Sequence, residues 1–391
     1  MKVPAAVAEL RTPRAVRERC HEILDRAKRG ATSHFTVDEA AIPRASELVV
    51  KVIKDSYPSL VVPVHGRYRH FEAGGVKRMR KLGGEADPRE RAKTKIDLVV
   101  TSVLLDAGAG SSWSYEEGGR RYERSEGLAV ASFCAFTSGV FSKSGAPRAD
   151  AAGLVALDEN EFRKHFQVSD RNPLVGVAGR VGLMHALGKA ITARPDVFGV
   201  EGRVGGLLDA LRPSNGEVHA TDLLGLLLDA LESIWPGRIV LHGHNLGDTW
   251  RYKDTLVPFH KLSQWLSYSL VEPIAEAGID IVGLAELTGL PEYRNGGLLI
   301  DTGALVPKDP QALDRTHRVG DELVVEWRAL TVALLDEVAS QVRAKLGKSE
   351  GEFPLARVLE GGTWAAGRLI AAEKRPGGVP PLTIDSDGTV F

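Results

Sequence analysis

Residues 252–269 read YKDTLVPFHKLSQWLSYS, and the period of this run sets the fold class. Phe259, Leu262, Leu266 and Leu270 recur at 3-4-4 spacing, which predicts a helix over 258–276 with those side chains on its core face. Pro258 suits the first turn, where its missing N–H would have no intrahelical partner. Lys261, Trp265, Tyr268 and Glu272 follow at 4-3-4 spacing and form a neighbouring stripe rich in hydrogen-bonding groups. Asp254 precedes the Val257-Pro258 step and is expected at the helix entrance, as a cap or as a reactive acid.

The same period recurs along the chain. Thr12-Pro13 opens a pattern that puts Val16, Cys20, Ile23, Leu24 and Ala27 on one face, and Gly30 closes it. Further helices are expected over 42–55, 89–107, 126–139 after Ser125, and 159–167 behind the Asp158/Glu161 capping box. Others are expected over 173–191, 222–234, 322–346 and 355–373. Strand-like runs are short: 238–244, 278–283, 296–303 and 381–391, with a surface hairpin or turn over 115–124. Strands and helices do not alternate regularly, so neither a doubly wound sheet nor an eight-stranded barrel is expected. The reading is a mainly α, compact helical fold: one domain over 1–391, with residues 1–60 a candidate N-terminal subdomain.

Composition narrows the function classes. A formal net charge of -1 over 391 residues gives no basic excess of the kind that nucleic acid or an anionic membrane surface selects. Two cysteines, Cys20 and Cys134, imply no disulfide framework, and no apolar run is long enough to span a bilayer. A soluble cytoplasmic protein with a small-molecule substrate is expected, without nucleic-acid or membrane partners and with homo-oligomerisation open.

Three motifs carry chemistry on their face. LLIDTGA at 298–304 has the Asp-Thr-Gly form of aspartic proteases, but those are all-β, so a structural turn is expected here. His242 and His244 follow a strand-like run, where alternation would put both rings on one side for a divalent metal. Further ligands at later strand ends are missing, so no metal and no cofactor are expected. The third is spread over 65–78, 104–115 with 124–132, 252–269 and 324–330, polar stretches that sit beside glycine or an aromatic and together suggest a lined pocket.

The runs YRHFEAGGVKR, DLVVTSVLLDAGAG, RSEGLAVASF, NPLVGVAGR, LVPFHKLSQWLSYSL, LTGLPEYRNGGL, VEWRALTVALLD, FPLARVLEGGTWAAGR and SDGTVF resemble, over essentially the whole chain, a uracil-catabolism family thought to break down ribosylurea or its phosphate. A more distant likeness is to the queuosine salvage N-glycosylases, helical proteins that cleave the N-glycosidic bond of a nucleoside 5′-phosphate. Their Asp-Tyr-Arg-Val-Pro-Gln motif with a later Tyr-Ser is similar to 254–259 with Tyr268-Ser269. Their Asn-Phe-Cys-Phe-Trp segment is similar in place to 106–110 with Trp113, and their Glu-Ile-Arg resembles Glu326-Trp327-Arg328. Phe259 replaces the Gln, and the base-stacking segment is small and glycine-rich, which suits a leaving group as small as urea.

This resemblance implies hydrolysis of an N-ribosyl bond through an oxocarbenium-like sugar, with a fixed carboxylate near the anomeric carbon. It makes Asp254 the first choice for that acid, with Asp106 or Glu126 as a second carboxylate to orient water or a sugar hydroxyl. His70, His260 or Arg328 would help urea depart, histidine being the group whose ordinary pKa suits proton donation. A 5′-phosphate would take Lys261 in the first turn of its helix, with Arg67, Arg69 and Arg294 as further cations. Glu72, Trp113, Trp265, Tyr268 and Glu326 complete the expected substrate contacts. Cleavage within the urea moiety by a metal at His242 and His244, and ligand binding without turnover, are the competing readings.

Overall fold

A computed structural model describes residues 3–80, 82, 84, 87–106, 108–110 and 112–385. It is mainly α, as expected, with two-stranded sheets of strands no longer than four residues among the described residues. The chain forms two compact units: one takes residues up to 65, 237–264 and from 283 on, and the other takes 66–236 and 265–282.

The first unit is organised around the helix Glu322–Leu346. Every residue from Leu323 to Leu335 is buried, and so the helix lacks a polar face there and packs on all sides. Helices Pro13–Lys28 and Ile42–Ser56 lie against it, each with proline in its first turn. Thr12 caps the former by accepting the Ala15 amide, as its Thr-Pro opening predicts. Helix Tyr293–Asp301 packs on Trp364–Lys374. At their contact a Cβ on Gly367 would fall 2.3 Å from the Arg294 carbonyl oxygen, so glycine sets how closely the backbones approach.

The second unit repeats the plan around the helix Pro88–Leu104, capped by Asp87 and buried without interruption from Thr94 to Leu104. Helix Arg124–Thr137 packs along it, and Ala151–Ala156 packs on Val177–Ala193. Asp158 caps Glu159–His165 through the Asn160 and Glu161 amides. The segment 115–124 lies largely in the hairpin Ser114–Glu117 with Arg120–Glu123.

Several boundaries differ from expectation, each for a local reason. The helix expected from Pro258 begins at Lys261, because 255–258 is the second strand of a hairpin with Thr249–Tyr252. Its core and polar stripes are both buried from Leu262 to Leu270. The run 296–303 belongs to a helix, not a strand, and its aspartate, Asp301, pairs with Arg375 Nη1 at 2.7 Å. Gly303, at φ 86°, follows in the left-handed region that ends helices, the structural turn expected of Asp-Thr-Gly. Of the C-terminal strand-like run, 383–385 pairs with 316–318, while SDGTVF lies outside the described residues. Cys20 and Cys134 are free thiols, and none of the described helices is long and apolar enough to cross a membrane.

Candidate functional site

In the second unit, one helical turn, Arg67–His70, gathers groups from three other segments. The turn is drawn tight against the helix Lys261–Ala275: a Cβ on Gly66 would lie 2.9 Å from the Ser269 Cα. Ser269 Oγ accepts the Arg67 amide at 2.9 Å and donates to the Trp265 carbonyl at 2.7 Å. The Arg67 guanidinium is fully buried. Its Nε donates to Ser102 Oγ at 2.8 Å, and Ser102 Oγ lies 2.5 Å from Ser132 Oγ. Its Nη1 reaches Asp106 Oδ1 at 2.9 Å and the Ser125 carbonyl at 3.0 Å.

Asp106 follows the buried helix Pro88–Leu104, and its side chain is 10% exposed. Ser125 Oγ donates to its Oδ2 at 2.6 Å. Arg180 fixes the backbone on either side, donating to the Leu105 and Gly108 carbonyls at 2.9 and 3.2 Å. Burial lowers the Arg180 guanidinium to about 10 against the pull of Asp106, and burial likewise lowers Arg67, which Asp106 counters.

His70 Nδ1 lies 3.3 Å from Arg67 Nη1 and 3.4 Å from Ser125 Oγ. The Trp265 ring stands 6.2 Å from the imidazole, and the Arg67 guanidinium lies 5.8 Å from the indole. Glu126, half-buried in the first turn of its helix, adds negative charge acting on Arg67. Tyr268 is buried on the same helix as Trp265. The cluster thus joins a carboxylate, a guanidinium, a hydroxyl, an imidazole and an indole wall. Such a set can hold a sugar and place a carboxylate beside a developing cation.

Arg69 and Glu72 lie on or beside this turn, where Arg69 pairs with Glu272 and stacks 4.9 Å from the Tyr68 ring. Half-buried Glu72 acts on Arg69 through its charge. Lys95, on the buried helix, grips Glu276 at 2.5 Å, and Tyr68 Oη donates to the same carboxylate. These contacts fasten the turn to its neighbours rather than present charge to a ligand.

The remaining candidates, Trp113 excepted, are in the first unit, and their geometry is structural. Asp254 is exposed on the hairpin turn between Tyr252 and Thr255 and is not at the helix entrance. Solvent on that turn deprives its carboxylate of fixed donors and a low dielectric, the conditions that make a reactive acid. The acid at the helix entrance is Asp248, whose Oδ2 accepts the Lys261 amide at 3.0 Å. Arg328 Nη1 and Nη2 meet its two oxygens at 2.8 Å each, and Trp250 Nε1 donates to Oδ1 at 2.6 Å. Burial alone would raise the Asp248 carboxyl, but Arg328 outweighs it and holds the group well below the usual carboxylate range. Arg328, 1% exposed and stacked 4.1 Å over Phe259, is therefore a lock on a turn rather than a donor to urea.

Glu326 is fully buried and accepts the Ser33, His34 and Phe35 amides and the Tyr252 hydroxyl. Four donors use the lone-pair positions of its two oxygens. It therefore cannot complete a metal site, although His34, Glu322 and Glu326 place ligand atoms within 4.8 Å of one another. Buried His260 has Nε2 2.8 Å from the Leu10 carbonyl, and burial lowers its basicity, so it pins the N-terminal helix Ala5–Leu10 instead of giving up a proton. Arg294 donates to the Gly378 carbonyl at 2.8 Å. In the second unit, Trp113 is 1% exposed with its Nε1 on the Phe166 carbonyl, a core residue. His242-Gly243, at φ 51° and 82°, forms the two-residue turn of the hairpin 240–245, so alternation does not align His242 with His244.

Arg67 was legible as a cation; its partners Ser102 and Ser269, and Ser132 bonded to Ser102, were not. The signal lay in small hydroxyls within runs that are otherwise buried all round, since a buried hydroxyl requires a partner.

Fold and site define a mainly helical protein with a carboxylate, guanidinium and imidazole cluster in its second unit. The chain matches the family described as "Protein of unknown function (DUF1688)" over residues 9–391, and it belongs to that family. It is 38% identical to "Protein urg3" of Schizosaccharomyces pombe, covering 98% of this chain and 99% of that protein. It is also 38% identical to "Uracil catabolism protein 4" of Lachancea kluyveri, with both chains covered in full.

Proposed function

We propose that this chain acts in uracil degradation as a hydrolase of an N-ribosyl bond, taking ribosylurea or its 5′-phosphate and releasing urea and ribose or ribose phosphate. The place in uracil degradation is supported by the name of a full-length relative, "Uracil catabolism protein 4". The reaction class rests on one observation: the Asp106 carboxylate, flanked by the buried cations Arg67 and Arg180 and hydrogen-bonded by Ser125.

Departure of urea leaves positive charge on the sugar, and a fixed anion stabilises that state more than the neutral substrate. Asp106 supplies the anion, accepts one proton from the attacking water as the hydroxyl bonds to the anomeric carbon, and returns that proton to the departing urea nitrogen. Ser125 hydrogen-bonds one of the Asp106 oxygens and Arg67 forms an ion pair with the other, which fixes its orientation. Trp265 offers an apolar face to the sugar ring, as protein–sugar contacts commonly use. Cleavage by a metal at His242 and His244 finds no support in a hairpin turn.

The test is mass analysis of products after incubation with ribosylurea and with its 5′-phosphate, with and without chelator. Urea plus the sugar, unaffected by chelator, is expected. Ammonia and carbon dioxide in place of urea, or saturable binding with no product, would overturn the reading.

A further inference from the structure

We propose that a cavity beside Arg148, in the second unit, binds a small organic anion, with a phosphate or carboxylate head on Arg148 and Lys143 and an apolar body against Pro195 and Val200. The site goes beyond the hydrolytic reading and does not depend on it. The cavity has a volume of about 630 Å³, in the range of small-molecule sites, and no residue of the cluster around Asp106 lines it.

Its cationic side is a loop over 139–150 that is fixed from within. Asp150 accepts the Ser142 hydroxyl at 2.6 Å, the Lys143 amide at 3.2 Å and the Gly153 amide at 2.9 Å. A Cβ on Gly139 would fall 2.0 Å from the Gly145 carbonyl oxygen, so the loop closes on itself with no side chain between. Lys143 and Arg148 thus extend from a backbone that is already set.

Arg148 carries five N–H donors that the protein leaves largely unused. Its Nε is buried and has no hydrogen-bond partner. Its two ion pairs are loose, Nε standing 3.7 Å from Asp150 Oδ2 and Nη2 3.5 Å from Glu201 Oε2. A charge-assisted hydrogen bond would draw such atoms to about 2.7–2.9 Å. Asp150 is held by its three other donors, and Glu201 is 76% exposed, where a surface pair contributes little. Exposed Lys143 lines the same cavity, and its ammonium has no ion pair among the described residues.

The facing wall is apolar. Pro195 is exposed there, and Val200 is 99% exposed at the tip of the turn that the Gly202 amide closes on the Gly199 carbonyl at 3.1 Å. A ligand with an anionic head would give the guanidinium the acceptors it lacks, and its body would cover the valine. Glu201 opposes that head by its charge, and its exposure lets it swing into solvent when the anion enters.

The test titrates the full chain calorimetrically with phenyl phosphate, hexanoate, inorganic phosphate and neutral hexanol. Phenyl phosphate or hexanoate should saturate one site with a Kd on the order of 1 mM, and the one that binds identifies the head. Inorganic phosphate, without an apolar body, should bind at least about threefold more weakly than the organic anion, and hexanol should not bind. Arg148→Met should weaken binding at least about tenfold and Lys143→Met about threefold, whereas Glu201→Gln should tighten it about threefold. Asp106→Asn should leave it unchanged.

No saturation by either organic anion at about 20 mM, hexanol binding as tightly as hexanoate, undiminished binding in Arg148→Met, or lost binding in Asp106→Asn would each overturn the proposal. Should Arg148→Met not fold, Lys143→Met and Glu201→Gln, both on exposed side chains, decide the matter: opposite shifts support the site, and no shift overturns it.

Discussion

Asp248 with Arg328 in the first unit and Asp106 with Arg67 in the second are both aspartate–arginine pairs with a buried guanidinium, yet they are built for different ends. Asp248 accepts both ends of the Arg328 fork, the Trp250 indole N–H and the Lys261 amide, so each oxygen carries two donors. Asp106 takes its arginine at one oxygen and a serine hydroxyl at the other, while the same guanidinium nitrogen also faces a backbone carbonyl and His70. A saturated bidentate pair has its geometry and charge fully used, which makes it a fastener. A pair whose donors are spread over a carboxylate, a carbonyl and an imidazole orients several groups at once, as a site requires.

The comparison can be broken by substitution. Arg328→Met leaves the Asp248 charge buried with its strongest partner gone, and should cost about 3–5 kcal/mol of stability. Urea unfolding at pH 7 measures it, and a loss below about 1 kcal/mol would mean the pair is no fastener. Asp106→Asn should reduce release of urea by about a thousandfold with secondary structure intact by circular dichroism. Unchanged turnover would remove Asp106 from the mechanism.

Glu326→Gln replaces an acceptor by an amide whose N–H faces backbone N–H groups, and should cost about 1–3 kcal/mol without altering KM. Asp254→Asn, on an exposed turn, should change stability by less than about 0.5 kcal/mol and leave turnover unchanged. A sharp loss of activity in that variant would return the reactive acid to the hairpin.

Acid sharpens the contrast further. The folded Asp248 carboxyl is held below its ordinary value, so its contribution is fully present above about pH 4 and is lost as pH falls through the depressed folded value. Stability of the parent should therefore fall more steeply below pH 4 than that of Asp248→Asn, as read from urea midpoints at pH 5, 4 and 3. Parallel slopes would mean that Asp248 is not held in its ionised form.

The helices were legible wherever a cap and a 3.6-residue period coincided, as at Thr12-Pro13 and Asp158. The misreadings share a cause. GGLLIDTG has a short apolar run that serves a buried helix as well as a strand, and only packing against Trp364–Lys374 settles it. In YKDTLVPFH, Pro258 suits a helix start and a strand end equally. Pairing with Thr249–Tyr252, four residues that carry no helical signal, decided for the strand.

The sequence by itself determined the mainly α class, the long buried helices and the family, because periodicity, caps and extended runs of identity are local or linear properties. It also drew attention to Arg67, Asp106, His70 and Trp265. Tertiary structure alone decided which acid stands at the entrance of the helix Lys261–Ala275, Asp248 rather than Asp254, and which arginine joins which aspartate. Those choices turn on burial and on hydrogen-bond partners far apart in the chain, and a carboxylate acquires its role from the donors that surround it.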